Sequence, residues 1–300
     1  MKVGLILPMS DDGGLGVPSW PAIRDLAHRA EAGGADSVWV YDHLLLRLEG
    51  QASGIHEAWT LLAALAAATE RVELGTIVLA TSFRPPALVA KMATTLDEVS
   101  GGRLILGLGC GWHEPEYAAF GYPFDHRVDR FEEALRIIGP LIREGSVTFA
   151  GTYHRAEGCE ILPRGPRSRI PILVAAKGPR MLRLAAEHAD AWNTAWFGLP
   201  DDRLERRIAD LWAACADVGR DPATLEVTVG VTVRADADDA WSRSGAPSEL
   251  IAEPEVVADG LRAYAALGVG HVQLDVRPAT AAAFDRVLEG VARFRQVPLG

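Results

Sequence analysis

The sequence is poor in lysine, in cysteine and in long apolar runs, and each shortage closes off a class of function. Only Lys2, Lys91 and Lys177 supply ammonium groups, so arginine carries nearly all of the positive charge. That charge is scattered and outweighed, leaving a net of -10 at neutral pH. No basic surface for nucleic acid or an anionic membrane is therefore expected. The cysteines, Cys110, Cys159 and Cys215, are odd in number and far apart, which suits neither a disulfide framework nor a zinc site. No apolar run approaches the ~18 residues of a membrane span. The opening MKVGLILPMSDDGG has one lysine and too short an apolar stretch for a signal sequence. It reads as a first strand, and a cytoplasmic location is expected.

What is present is a large apolar complement, 49% of the chain, arranged as short β-branched runs alternating with alanine- and leucine-rich helical stretches. Strands are expected at Val3–Leu7, Ser37–Tyr41, Val72–Leu79, Leu104–Leu108, Pro171–Ala175, Ala191–Ala195, Leu225–Val233 and His271–Val276, each followed by a helical pattern. Eight such units make the fold class α/β and favour a (β/α)₈ TIM barrel over a doubly wound open sheet. No linker divides the chain, so residues 1–300 read as one domain. Insertions are expected after the fourth helix, where Gly145–Ile170 contains a hairpin pattern, and after the seventh strand, where Asp236–Pro254 reads as a polar loop over the mouth.

In such a barrel the chemistry sits where strands end and the following loops begin. Asp42 and His43 fall there. A histidine titrates near neutrality and moves protons, and a neighbouring carboxylate orients it; a structural histidine at a strand end is the plain alternative. The stretch LILGLGCGWHEPEY puts glycines at 107, 109 and 111, but a dinucleotide fingerprint needs its third glycine where Trp112 stands. The glycines are instead expected to thin the rim so that a flat ligand approaches the backbone. His113, Glu114 and Glu116 fit no H-E-x-x-H spacing and read as a solvated loop, so no metal is expected. Lys177-Gly178-Pro179-Arg180-Met181 opens a helix whose free amides suit an anion, unless it is only a turn with proline at the helix start. Trp112 and Trp196, at the rim, suit stacking on a flat ring or plain packing.

Taken together, ADSVWVYDHLL, VELGTIVLATSFRPPALVAKMATTLDEVSGGRLILGLGCGW, FAGTYHRAEG and PILVAAKGPRMLRLAAEHADAWN resemble the luciferase-like flavin- and deazaflavin-dependent oxidoreductases. The resemblance runs from Val3 to Asn193. It implies a tricyclic ring in the barrel mouth, propped by a strand-three bulge at Ile77-Val78 with a non-prolyl cis peptide, Ala80 lying just beyond. It implies that Cys110, Gly111 and Trp112 border the cofactor and that Ala175, Ala176, Lys177, Gly178, Pro179, Arg180 and Met181 wrap its phosphate. Asp42 would contact the ring and His43 would assist hydride transfer, with Phe83, Trp112 and Trp196 around an apolar organic substrate. The cofactor implied is the deazaflavin coenzyme F420. The alternative is FMN, which would make the enzyme an oxygen-using monooxygenase with a separate reductase partner.

The chain also departs from the resemblance. Sugar-phosphate dehydrogenases of the deazaflavin branch carry a glutamate at the place of Trp112 and an asparagine at that of Pro115, so glucose 6-phosphate oxidation is disfavoured. Lys177 stands where many members have glycine. A homodimer is the default for the fold. A cofactor-free binding homologue and a metal-assisted barrel hydrolase are the competing readings. The retained DH, GTIVLA and AAKGP segments argue against the first, and the second would need a His/Asp cluster at the rim, where only Asp42, His43, His113, Asp275 and the distant His271 are available.

Overall fold

Eight parallel strands close on themselves in the computed structural model, which describes residues 1–11, 16–48, 51–235 and 250–296. They are β1 (Lys2–Ile6), β2 (Ser37–Val40), β3 (Glu73–Thr76), β4 (Leu104–Gly109), β5 (Ile172–Ala175), β6 (Ala191–Phe197), β7 (Glu226–Arg234) and β8 (His271–Arg277). Each pairs with the next, and β8 returns to β1 with Lys2 opposite His271 and Leu5 opposite Leu274. The result is a closed (β/α)₈ barrel, so no strand presents an open edge within it. All eight expected strands are present. β3 alone is interrupted: it stops at Thr76 and resumes as Leu79–Ala80, which pairs with the end of β4.

Nine helices are present among the described residues: α1 (Trp20–Ala32), α2 (Ala58–Ala68), α3 (Pro86–Val99), α4 (Glu114–Phe120), α5 (Arg127–Arg143), α6 (Pro179–His188), α7 (Asp202–Asp217), α8 (Pro254–Ala266) and α9 (Ala281–Gln296). Eight of them match expected helices. The short α4 was not expected, although Pro115 in its first turn and the flanking Glu114 and Glu116 are ordinary helix-start signals. The hairpin in the first insertion is formed by Ser146–Ala150 and Arg155–Glu160. Its turn is held by Glu133 of α5, whose carboxylate accepts from the amides of Thr152, Tyr153 and His154 at 2.7–2.8 Å. Of the second expected insertion, residues 236–249 lie outside the described residues. No helix among the described residues is long and apolar enough to cross a membrane.

Alternation along the strands divides the core in two. Outward residues such as Val229, Val231, Leu106 and Leu274 pack under the helices. Inward residues Ile6, Trp39, Ile77, Ile105, Leu173 and Ala191 form a separate cluster inside the barrel. Trp39 dominates that interior. Its indole Nε1 donates to Ser37 Oγ at 2.7 Å, and Ser37 Oγ meets His271 Nε2 at 2.8 Å. Burial drops the His271 pKa to about 3, helped by Lys2 and the N-terminus, so the barrel floor carries no histidine charge near neutrality.

The glycines of LILGLGC have a different use from the one expected. A Cβ on Gly107 would stand 1.8 Å from the Thr76 carbonyl oxygen, and one on Gly109 would stand 2.6 Å from Val78 Cγ2. Their absent side chains leave room for the interrupted end of β3, not for a ligand. Gly107→Ala must therefore push backbone against backbone. It is expected to lower unfolding stability by about 3 kcal/mol, measured by urea denaturation; a loss below about 0.5 kcal/mol would refute this account of the glycine.

Candidate functional site

Around the C-terminal mouth the side chains fall into two groups of opposite character. The first begins at the end of β2, where Asp42 is almost fully buried. Arg84, just after β3, grips it with Nη1 on Oδ2 at 2.8 Å and Nη2 on Oδ1 at 3.1 Å, and the Ala80 amide donates to Oδ2 at 3.0 Å. The same guanidinium reaches Glu57, whose carboxylate also caps α2 through the amides of Trp59 and Thr60. Burial pushes the Asp42 carboxyl up from its ordinary value, and the Arg84 guanidinium opposes that rise. Asp42 is thus committed to joining β2, β3 and α2. The expectation that it orients His43 is corrected: its oxygens are engaged elsewhere.

The carboxylate that meets His43 is Glu116. His43 Nδ1 lies 2.9 Å from Glu116 Oε1, while Glu116 Oε2 accepts from the Leu44 amide at 2.9 Å and the Leu45 amide at 3.3 Å. Burial acts to raise the Glu116 carboxyl, but His43 and the two amides outweigh it and hold the group below its usual range. His113, three residues earlier, is 5% exposed, and its Nε2 accepts from the Arg47 amide at 3.0 Å. Burial depresses its pKa, and an Nε2 that accepts from an amide carries no proton of its own. The reading of this stretch as a solvated loop therefore fails for His113 and Glu116, which the short α4 turns inward; Glu114 is exposed.

Trp112 is 62% exposed, with its ring in edge contact with His43 at 5.5 Å between centroids. Gly111 adopts φ +72°, and a Cβ there would strike the Tyr117 hydroxyl. That hydroxyl donates to the Cys110 carbonyl at 3.0 Å, and burial pushes its pKa up to about 12. Cys110 is half-buried, its thiol raised by desolvation. Phe83 is not at the open mouth. It is buried against Tyr117 and Tyr122, with ring centroids 4.9 and 5.2 Å away, in a cluster that also holds Ala80.

The second group is cationic. Between β5 and α6 the chain runs through Ala175, the buried Ala176, the exposed Lys177, and Gly178 at φ +78°, where a Cβ would meet nothing within 4 Å. Pro179 opens α6, and Met181 is buried beneath it. Arg207 of α7 stands nearby, with Nη1 on Thr194 Oγ1 at 2.6 Å and on the Ala195 carbonyl at 3.1 Å. Desolvation and then the Arg207 charge hold the Lys177 ammonium below its usual range. Arg180 is tied to Asp129 and Glu132 of α5 at 2.6 and 2.8 Å.

Between the two groups lies an apolar floor. Ile77-Val78 is a cis peptide, as the resemblance implies, and Ala195-Trp196 is a second non-prolyl cis peptide that nothing in the sequence announced. Ile77, Val78, Tyr41 and Trp196 share one packed cluster. Of the expected site residues, the fold thus gathers Asp42, His43, Ile77, Val78, Ala80, Cys110, Gly111, Trp112, Trp196 and the Ala175–Gly178 turn around one end of the barrel. Arg207 was missed, Arg84 stood at a strand end without an assigned role, and His113 and Glu116 read as a solvated loop in the sequence. Among the described residues no group of three or more His, Cys, Asp or Glu is disposed to hold a metal ion.

The model described as luciferase-like monooxygenase matches residues 1–279, and the chain belongs to that family. Over 242 residues it is 34% identical to an F420-dependent glucose-6-phosphate dehydrogenase of Kineococcus radiotolerans, covering 77% of this chain and 70% of that one. Over 258 residues it is 30% identical to the pyrimidine monooxygenase RutA of Acinetobacter baylyi, covering 79% of this chain and 68% of that one. Among solved structures, an F420-dependent secondary alcohol dehydrogenase in complex with an F420-acetone adduct superimposes with a TM-score of 0.82 at 21% identity, over 98% of this chain and 99% of that one; a likeness at that identity speaks for the fold. The chain is an enzyme of the luciferase-like oxidoreductase and monooxygenase type, with F420-dependent dehydrogenases and monooxygenases both among its relatives.

Arg84→Met leaves Asp42 buried without its cation. A loss of about 3–5 kcal/mol at neutral pH is expected. Because burial then raises the Asp42 pKa with only the Ala80 amide opposing it, the folded state takes up a proton more readily than the unfolded one. The loss should shrink as pH falls to about 4, read from urea unfolding at both pH values. A pH-independent loss would show that the buried charge is not its cause.

Proposed function

We propose that the enzyme transfers a hydride between coenzyme F420 and a small, largely apolar organic substrate. The observation that carries this reading is His43, a histidine held on a carboxylate at the mouth with the exposed Trp112 ring beside it. Oxidation of an alcohol or reduction of a carbonyl or activated alkene moves one proton with each hydride, and an imidazole placed there takes or gives it. When bound, the deazaflavin supplies or accepts the hydride.

The residues present suit such a group. Ile77, Val78 and Tyr41 offer an apolar floor for a flat ring. Gly178, with open space where a side chain would stand, lies between Lys177 and the amides at the start of α6, and Arg207 adds a second cation. These groups would hold the phosphate. Arg180 contributes less than the resemblance implies, since two carboxylates already neutralise it. Trp112 and Trp196 would contact the substrate and exclude water, and His43 would move the proton at Nε2, its Nδ1 being occupied by Glu116.

The second reading is an FMN-dependent monooxygenase working with a separate reductase, favoured by the similarity to a monooxygenase over 258 residues. A fluorescence titration of the purified protein with coenzyme F420 and with FMN separates the two. Tight F420 binding with weak FMN binding is expected, and the reverse would overturn the proposal. With the cofactor known, His43→Ala is expected to lower turnover by about 10²- to 10⁴-fold and to leave cofactor affinity within about threefold. Equal loss of both would remove His43 from the chemistry.

A further inference from the structure

We infer that Glu116 is a positioning residue that sets the tautomer of His43, and that α4 is the element that delivers it. The inference rests on the reading of His43 as the proton carrier. Glu116 is 1% exposed, and its carboxylate is met by donors from a single three-residue segment: His43 Nδ1 on one oxygen, and the amides of Leu44 and Leu45 on the other. A carboxylate anchored in this way accepts and has no proton to offer, so Nδ1 must carry the hydrogen. The neutral ring then keeps its lone pair on Nε2, the form a base requires.

Asp42, next to His43 in the chain, cannot take this part, because Arg84 holds both its oxygens and the Ala80 amide shares one of them. Two further contacts set the register of α4. His113, its N-cap, accepts from the Arg47 amide, and Tyr117 donates to the Cys110 carbonyl. One short helix is therefore pinned to the loop after β2 and to the end of β4, with Glu116 between these two anchors.

A merely structural role for Glu116, holding the 44–45 amides, predicts the same stability losses but not the same tautomer. Glu116→Gln separates them. The glutamine oxygen still accepts from Leu44 and Leu45, while its amide turns an N–H toward His43 Nδ1, which must then accept. The full-length protein, free and loaded with coenzyme F420, is labelled with ¹⁵N-histidine, and the His43 signals are identified by their loss in His43→Gln. The expected result is Nδ1–H in the wild type and in Glu116→Asp, a switch to Nε2–H in Glu116→Gln, and F420 affinity in Glu116→Gln within about threefold of wild type. Nε2–H in the wild type, or Nδ1–H persisting in Glu116→Gln, overturns the inference. If Glu116→Gln does not fold, the wild-type and Glu116→Asp spectra decide it. The tautomer is read without turnover, so this test stands or falls separately from the cofactor titration.

Discussion

The guanidinium of Arg84 is the joint on which the mouth depends. It is largely buried, and it binds Asp42 at the end of β2 and Glu57 at the start of α2 while itself following the interrupted β3. Two successive strand–helix units are thereby locked at the level where the candidate site lies. A charge so placed is costly to desolvate and is kept only because two carboxylates and a good geometry offset the cost. With Asp42 fixed, the next residue, His43, leaves the barrel in a set direction, and Glu116 meets it.

The interruption of β3 is the second constraint. Ile77 and Val78 leave the regular ladder, and β4 accommodates them by having no side chains at Gly107 and Gly109. The apolar floor and the histidine group are thus products of the same local distortion. The cationic turn after β5, the neighbour of β4, is assembled independently, from the start of α6 and an arginine of α7. The mouth thus combines two polar groups with an apolar surface, which suits a ligand with an anionic tail and a flat body.

Family membership fixes the scaffold more tightly than the chemistry. F420-dependent dehydrogenases and monooxygenases share this barrel, so what separates them lies in a few mouth residues and not in the frame. In this chain Trp112 stands in that region, exposed and in contact with His43. Glu116, one helical turn onward, brings a buried carboxylate inward against the same histidine.

The number of strands, their order and every helix between them except the short α4 were legible in the sequence, because alternation and helical periodicity record which face of each element is buried. So were the residues at the strand ends, because the barrel places them by topology. What the sequence did not reveal was who touches whom across the mouth. Glu116 meets His43 from 73 residues away, and Arg84 takes the carboxylate that adjacency assigned to His43. The alternate glycines made sense only once Thr76 and Val78 were seen against them. Periodicity reports burial one element at a time; a hydrogen bond between loops depends on the direction in which each loop leaves its strand, and the closed barrel alone decides that.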